Sequence, residues 1–323
     1  MSELPALHGW IILDKPLGLG STQGVSAVKR ALREGGYPRV KVGHGGTLDP
    51  LATGVLPIAL GEATKLAGRM LDASKTYDFT IAFGTQTDGL DTEGKVVATS
   101  DVRPTWAEVA AVLPRFTGAI DQVPPAFSAL KVDGKRAYDL ARAGEVVELA
   151  SRAIVIHSLS VRAELVEASS FVSELKNSPS TSSGRADFRI DSITLTAHVS
   201  KGTYIRSLAR DIALACRTVG HVAMLRRTRA GPFAIEQAIS LDKLAQHAKR
   251  RALEELCLPL EAGLDGIPAL ILAPDEASVI RHGGTLFGQS VNDGTYLAKD
   301  GRKPVALVKV HAGVLAVIRG FNM

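Results

Sequence analysis

The chain has 323 residues, 46% of them hydrophobic and 22% charged, a balance that excludes a disordered or fibrous chain and fits one large folded domain plus a small one. Its formal net charge of +5 favours a polyanionic partner without requiring one. Two cysteines, Cys216 and Cys257, make no disulfide framework and suit a reducing compartment. There is no basic-then-apolar leader and no apolar run long enough for a bilayer, so a cytoplasmic location is expected.

In chain order, Trp10-Ile11-Ile12-Leu13 reads as a short apolar strand. Val25, Val28 and Leu32 then recur at helical spacing, with Lys29, Arg30 and Arg33 on the other side. The stretch from Gly43 to Pro57 is dense in glycine and proline and holds one carboxylate, Asp49. Such composition makes a rigid loop, a common mount for chemistry. Taken alone, Asp49 reads more simply as the cap of a turn before Pro50.

Tyr77, Phe79, Ile81 and Phe83 alternate with Asp78, Thr80 and Ala82, the period of a strand. Asp88 and Asp91 fall in a turn-rich segment and are expected to stay solvated. Thr105 and Glu108 have capping-box spacing and open a helix that ends near Pro114. Ile193, Leu195, Ala197 and Val199 alternate again. Ile205, Leu208, Ala209, Ile212 and Cys216 form one helical stripe, with Arg206 and Arg210 on a different face. Strands and helices mix without a repeating βαβ pattern. The fold class is therefore α+β, a mixed and mostly antiparallel sheet with flanking helices.

Residues 168–185 are rich in serine and read as a flexible surface insertion. A basic run from His247 to Arg251, followed by Gly263, Gly266 and Pro268, suggests a main domain over 1–246, a linker over 247–267 and a small domain over 268–323. In the last, Pro274-Asp275-Glu276 starts a short helix that Gly283-Gly284 ends, and β runs follow at 295–298, 305–310 and 314–318.

Some chemistries are excluded. The glycines at 18, 20 and 24 follow a strand, but the third is one position late for a dinucleotide fingerprint. Gly61-Glu62-Ala63-Thr64-Lys65 is not a phosphate-binding loop. No ligand spacing among the 8 histidines and two cysteines implies a metal.

Five ordered motifs carry a more specific signal. They are Leu13-Asp14-Lys15-Pro16 with Gly18 and Ser21, the run GHGGTLDPLATGVLPIALGEATKL around Asp49, Lys75-Thr76-Tyr77, Pro124-Pro125 with Ser128-Ala129-Leu130-Lys131, and Ser200 to Arg206 with Leu225-Arg226-Arg227 beyond it. Together they resemble the bacterial tRNA pseudouridine synthases of the TruB type over most of residues 9–245. The resemblance implies the pseudouridine synthase fold and isomerisation of uridine 55 in the T-arm loop of tRNA, with no cofactor, no metal, no membrane and no required protein partner, the chain acting as a monomer. The tail is similar to a small PUA-like RNA-binding domain.

On that resemblance Asp49 is the catalytic carboxylate, Arg206 its partner and Tyr77 the residue that stacks on the flipped uracil. His44 matches a histidine that helps hold the T-loop open. Tyr204 and Leu225 match pocket positions, and Lys15, Ser21 and Lys131 match positions near the RNA path or the pocket wall. Taken singly, Tyr77, Tyr204 and Leu225 read as core, Arg206 as a solvated helix face, and the lysines as surface. The arginines at 226, 227 and 229, and Lys135 with Arg136, are candidate phosphate contacts. Rival functions are a synthase acting on rRNA or guided by a small RNA, a silent RNA chaperone, and a nonspecific basic RNA-binding protein.

Overall fold

A computed structural model describes residues 4–128, 130–132, 134–145, 149–162 and 188–323. The serine-rich segment 168–185 lies outside the described residues. The chain forms two compact units, Met1–Ala73 with Arg229–Met323, and Ser74–Thr228.

The first unit opens with β1 (Gly9–Lys15). Its apolar run is unbroken because both faces of the strand are covered. Ile11 and Leu13 enter a cluster with Val28, Leu56 and Ile58, whereas Trp10 and Ile12 enter another with Val55, Ala59 and Met70. Helix α1 (Ser21–Glu34) lays Val25, Val28 and Leu32 on the former, as their spacing requires. Strands β2 (Val42–His44) and β3 (Ala52–Leu60) run antiparallel, with His44 opposite Ile58, and β3 also pairs antiparallel with β1. The Asp49 loop is the connection between β2 and β3. A 3₁₀ turn, Gly61–Leu66, and α2 (Ala67–Asp72) close this stretch.

The second unit contains β4 (Lys75–Phe83), the hairpin of β5 (Thr85–Thr87) and β6 (Val96–Thr99), α3 (Trp106–Val112) and β7 (Gly118–Gln122). It continues through β8 (Lys131–Val132), β9 (Lys135–Arg136), α4 (Ala137–Arg142), β10 (Arg152–Val161), β11 (Ser192–Val199) and α5 (Ile205–Ala215). It ends within β12 (Gly220–Ala230). Its sheet has the order β12-β4-β11-β10-β7, with antiparallel pairing from β4 through β7. The capping box of α3 forms: Glu108 N donates to Thr105 Oγ1 at 3.1 Å, and Thr105 N donates to Glu108 Oε2 at 2.7 Å. Helix α5 packs its stripe, Ile205, Leu208, Ala209 and Ile212, into one cluster with Phe79, Ile81, Leu195 and Ala197.

Back in the first unit, β13 (Phe233–Ala234) pairs with the end of β12. The basic run from His247 lies in α6 (Leu241–Arg250) and its cap, and α6 buries Leu244 and Ala248 in the cluster that holds Val28. Strand β14 (Leu258–Pro259) pairs with the start of β1, and Trp10 Nε1 donates to Leu260 O at 3.0 Å. Residues 247–267 are thus helix end, short turns and an edge strand. The chain ends in a four-stranded sheet. Its strands are β15 (Ala269–Leu272), β16 (Gly294–Asp300), β17 (Lys303–His311) and β18 (Val314–Gly320), with α7 (Pro274–Arg281) against it. The pattern of the tail foretells β16 to β18 and α7; β15, parallel to β16, is additional. The architecture is the expected α+β one, mostly antiparallel.

Candidate active site

In the first unit, the residues on both sides of Asp49 are tied down. Ser21, buried at the start of α1, donates through Oγ to Leu48 O at 2.8 Å and accepts from Leu48 N at 2.8 Å. Lys15 is 0% exposed at the end of β1, and its Nζ donates to Pro50 O at 3.2 Å, Leu19 O at 2.6 Å and Pro16 O at 3.0 Å. Gly18 N also donates to Pro50 O, at 2.9 Å. Asp49 stands exposed between these two fixed neighbours, and its own carbonyl accepts from Ala52 N at 3.0 Å.

The glycines of the loop have separate reasons. Gly46 has φ +130°, a conformation side chains rarely adopt, and a Cβ on Gly45 would lie 2.7 Å from Met70. His44 closes β2 and accepts from Gly46 N through Nδ1 at 3.4 Å.

The second unit holds Tyr77, Tyr204, Arg206 and Leu225. Half-buried Tyr77 on β4 and half-buried Leu225 on β12 pack against the cluster that α5 helps to build. Tyr204 is the N-cap residue of α5, and the Arg152 guanidinium lies over its ring at 5.8 Å. Arg206, in the first turn of α5, is 8% exposed. Its Nη1 donates to Gly89 O at 2.8 Å and to Asp91 Oδ2 at 3.3 Å, and its Nη2 donates to Phe127 O at 3.0 Å. The backbone of Lys131 opens β8, and its side chain lies outside the described residues.

Four readings change. Asp91 is not a solvated turn carboxylate, because it pairs with Arg206 and its Oδ1 accepts from Glu93 N at 3.1 Å. Arg206 is not a solvated face. Arg227 is 1% exposed, so it offers no open phosphate contact, whereas Arg229 is exposed. Lys15 and Ser21 are buried, and the bonds they make reach the backbone of the Asp49 loop.

One further residue belongs to the group. Gln122, 1% exposed at the end of β7, donates through Nε2 to Tyr204 O at 3.1 Å and accepts through Oε1 from Tyr204 N at 2.8 Å. Among the described residues no three of His, Cys, Asp and Glu cluster as a metal site, and no helix is long and apolar enough to cross a membrane.

A pinned loop bearing an exposed carboxylate, and a buried arginine at a helix start, lie in segments that two family models match. Residues 30–205 match the N-terminal domain of the TruB family pseudouridylate synthases, and residues 206–265 match the tRNA pseudouridylate synthase B C-terminal domain. The chain belongs to the TruB family.

Curated TruB relatives match over nearly the whole chain. A tRNA pseudouridine synthase B of Novosphingobium aromaticivorans is 62% identical, over 98% of both chains. One of Zymomonas mobilis is 54% identical, over 99% of this chain and 98% of the other. Among solved structures, an archaeal box H/ACA Nop10–Cbf5 complex contains a chain with TM-score 0.67 at 22% identity, covering 98% of this chain and 87% of that one. That likeness shows that the TruB fold is shared with the Cbf5 type. The boundary between the two TruB models falls between Ile205 and Arg206, at the start of α5.

Proposed function

We propose that this TruB-family isomerase converts uridine 55 in the T-arm loop of tRNA to pseudouridine, with Asp49 as its catalytic carboxylate. The observation that carries the reading is the Asp49 loop, an exposed carboxylate whose neighbours on both sides are held by Ser21, Gly18 and Lys15. The reaction breaks the C1′–N1 bond, turns the uracil and joins C1′ to C5. The isomerisation involves no net oxidation or reduction and transfers no phosphoryl group, so the chemistry needs no redox or nucleotide cofactor. A fixed carboxylate can attack C1′ or the uracil ring, or remove the C2′ proton.

The target uridine must leave its stack, at a cost of a few kcal/mol. Tyr77 supplies the flat partner for the flipped base and is the candidate for the proton shift from C5. Arg206 is the partner that directs the carboxylate, Tyr204 and Leu225 form pocket walls, and His44 helps hold the T-loop open. Lys15 and Ser21 fix the loop, and Lys131 lies near the RNA path. RNA of this kind is recognised by loop shape and splayed bases. Residues 1–246 form the catalytic domain, 247–267 the connection and 268–323 a PUA-like RNA-binding domain. The enzyme works in the cytoplasm as a monomer, with tRNA as its one required partner.

Tritium release from tRNA carrying [5-³H]uridine tests this reading, because forming the new bond displaces the C5 hydrogen. Wild-type release that falls to background in Asp49→Asn, at equal tRNA binding, is the expected result. Equal release from both would remove Asp49 from the role, and no release from wild type would remove the activity.

A further inference from the structure

We infer that Gln122 is a positioning residue of the active site, one whose carboxamide sets the backbone turn that delivers Tyr204 and Arg206. This rests on the proposed roles of those two residues. Gln122 ends β7, where it stands opposite Arg152 of β10. Its side chain turns inward and takes both peptide groups of a single residue, the N–H and the C=O of Tyr204.

The need for this contact follows from where α5 starts. Tyr204 has extended angles, φ −102° and ψ 110°, and makes no side-chain cap bond. Its carbonyl already accepts the first helical bond, from Leu208 N at 3.1 Å. The second lone pair of that carbonyl and the Tyr204 N–H would otherwise stand in a partly buried place without these protein partners. A carboxamide has a donor and an acceptor side by side and meets both demands at once. A carboxylate meets one and opposes the other.

The same strand exit is bonded to the rest of the first turn of α5. Ser207 Oγ donates to Val123 O at 2.8 Å, and Arg206 Nη2 donates to Phe127 O. Gln122 is the member of this set that holds the backbone rather than a side chain. Tilting the turn therefore moves the Tyr204 ring and the Arg206 guanidinium together.

The test is single-turnover tritium release and tRNA binding with Gln122→Glu, Gln122→Met and Arg206→Lys, and with the double variant Gln122→Glu/Arg206→Lys. Gln122→Glu is expected to lower the rate of the chemical step about 10- to 100-fold, the scale of an ångström misplacement, with tRNA affinity little changed. Burial at this site raises the carboxyl's pKa, and protonating it restores a donor beside an acceptor, so the rate of Gln122→Glu relative to wild type is expected to rise as pH falls. In the Arg206→Lys background the loss is expected to shrink, because both changes disturb one unit. Gln122→Met, uncharged and similar in size, replaces Gln122→Glu if the latter unfolds, and the same rate loss is expected of it. Full multiplication of the two losses, or a wild-type rate in a folded Gln122 variant, would overturn the inference. A wild-type rate in Arg206→Lys would instead overturn the role of Arg206 and the inference that rests on it.

Discussion

Arg206 Nη1 lies 3.3 Å from Asp91 Oδ2, joining a helix start to a turn 115 residues earlier in the chain. The pair is mostly buried, with side chains 10% and 20% exposed, and the guanidinium also donates to the carbonyls of Gly89 and Phe127. Charge-assisted bonds of this kind fix direction as well as energy. Asp91→Ala removes the carboxylate from that arrangement and leaves a buried cation less well held. Single-turnover rate is expected to fall about 10- to 100-fold, with tRNA affinity near wild type. Unchanged turnover in a folded Asp91→Ala would mean that Arg206 is placed without help from the carboxylate.

Ser21→Ala tests the pinning of the catalytic loop. The substitution leaves Leu48 N–H and C=O without the hydroxyl that serves both. A lost bond at a buried site costs about 1–3 kcal/mol. Urea unfolding is expected to report that loss, and tritium release is expected to slow at saturating tRNA as well. Slower turnover without any stability change, or the reverse, would show that Ser21 serves only one of these two ends.

Glu62 links the end of the chain to pH. Burial raises its pKa, but the bonds donated by Lys65 Nζ and Asn322 N outweigh this and bring it below the ordinary carboxylate value. The folded state therefore binds this proton less readily than the unfolded one. The stability it contributes is present above the unfolded value of about 4.3 and is lost as pH falls through the lower folded value. Between pH 6 and pH 3, the urea midpoint of wild type is expected to fall further than that of Glu62→Gln. Parallel curves would show that Glu62 contributes nothing to the acid transition.

Burial pushes the Cys216 and Cys257 thiols up to about 11. At pH 8 roughly one in a thousand of either is thiolate, the reactive form. Iodoacetamide is expected to label the native chain slowly, about tenfold faster per pH unit up to that value, and to label both sites readily in denaturant. Fast native labelling at pH 8 would show that one of these sites opens.

Regular burial made much of the fold legible from sequence. The alternation from Tyr77 to Phe83 and the stripe from Ile205 to Ile212 repeat the faces they bury. Strand β15 escaped because its four residues follow Pro268 without alternation, and its partner β16 lies beyond α7. Asp91 and Gln122 escaped because their partners are distant in sequence and leave no local pattern.

Arg227, beside Arg226, misled for a geometric reason. Neighbours on a strand point to opposite faces, so when both lie on β12 one of them turns inward. Lys15 obeys the same rule, since it shares a face of β1 with Leu13 and Ile11. The motif around Asp49 was legible as a family signature, but the bonds from Ser21 and Lys15 that hold it required coordinates.

The first unit is completed by residues that leave the ribosome late. Strand β1, α1 and the Asp49 loop emerge early, yet their cores close only with Phe233, Leu244 and Leu260, after the whole of 74–228 has been made. At about 5–20 residues per second that is a delay of roughly 8–30 s. For that interval the nascent chain carries Trp10, Ile11 and Ile12 without their final cover, so chaperone demand during synthesis concentrates on its first seventy residues.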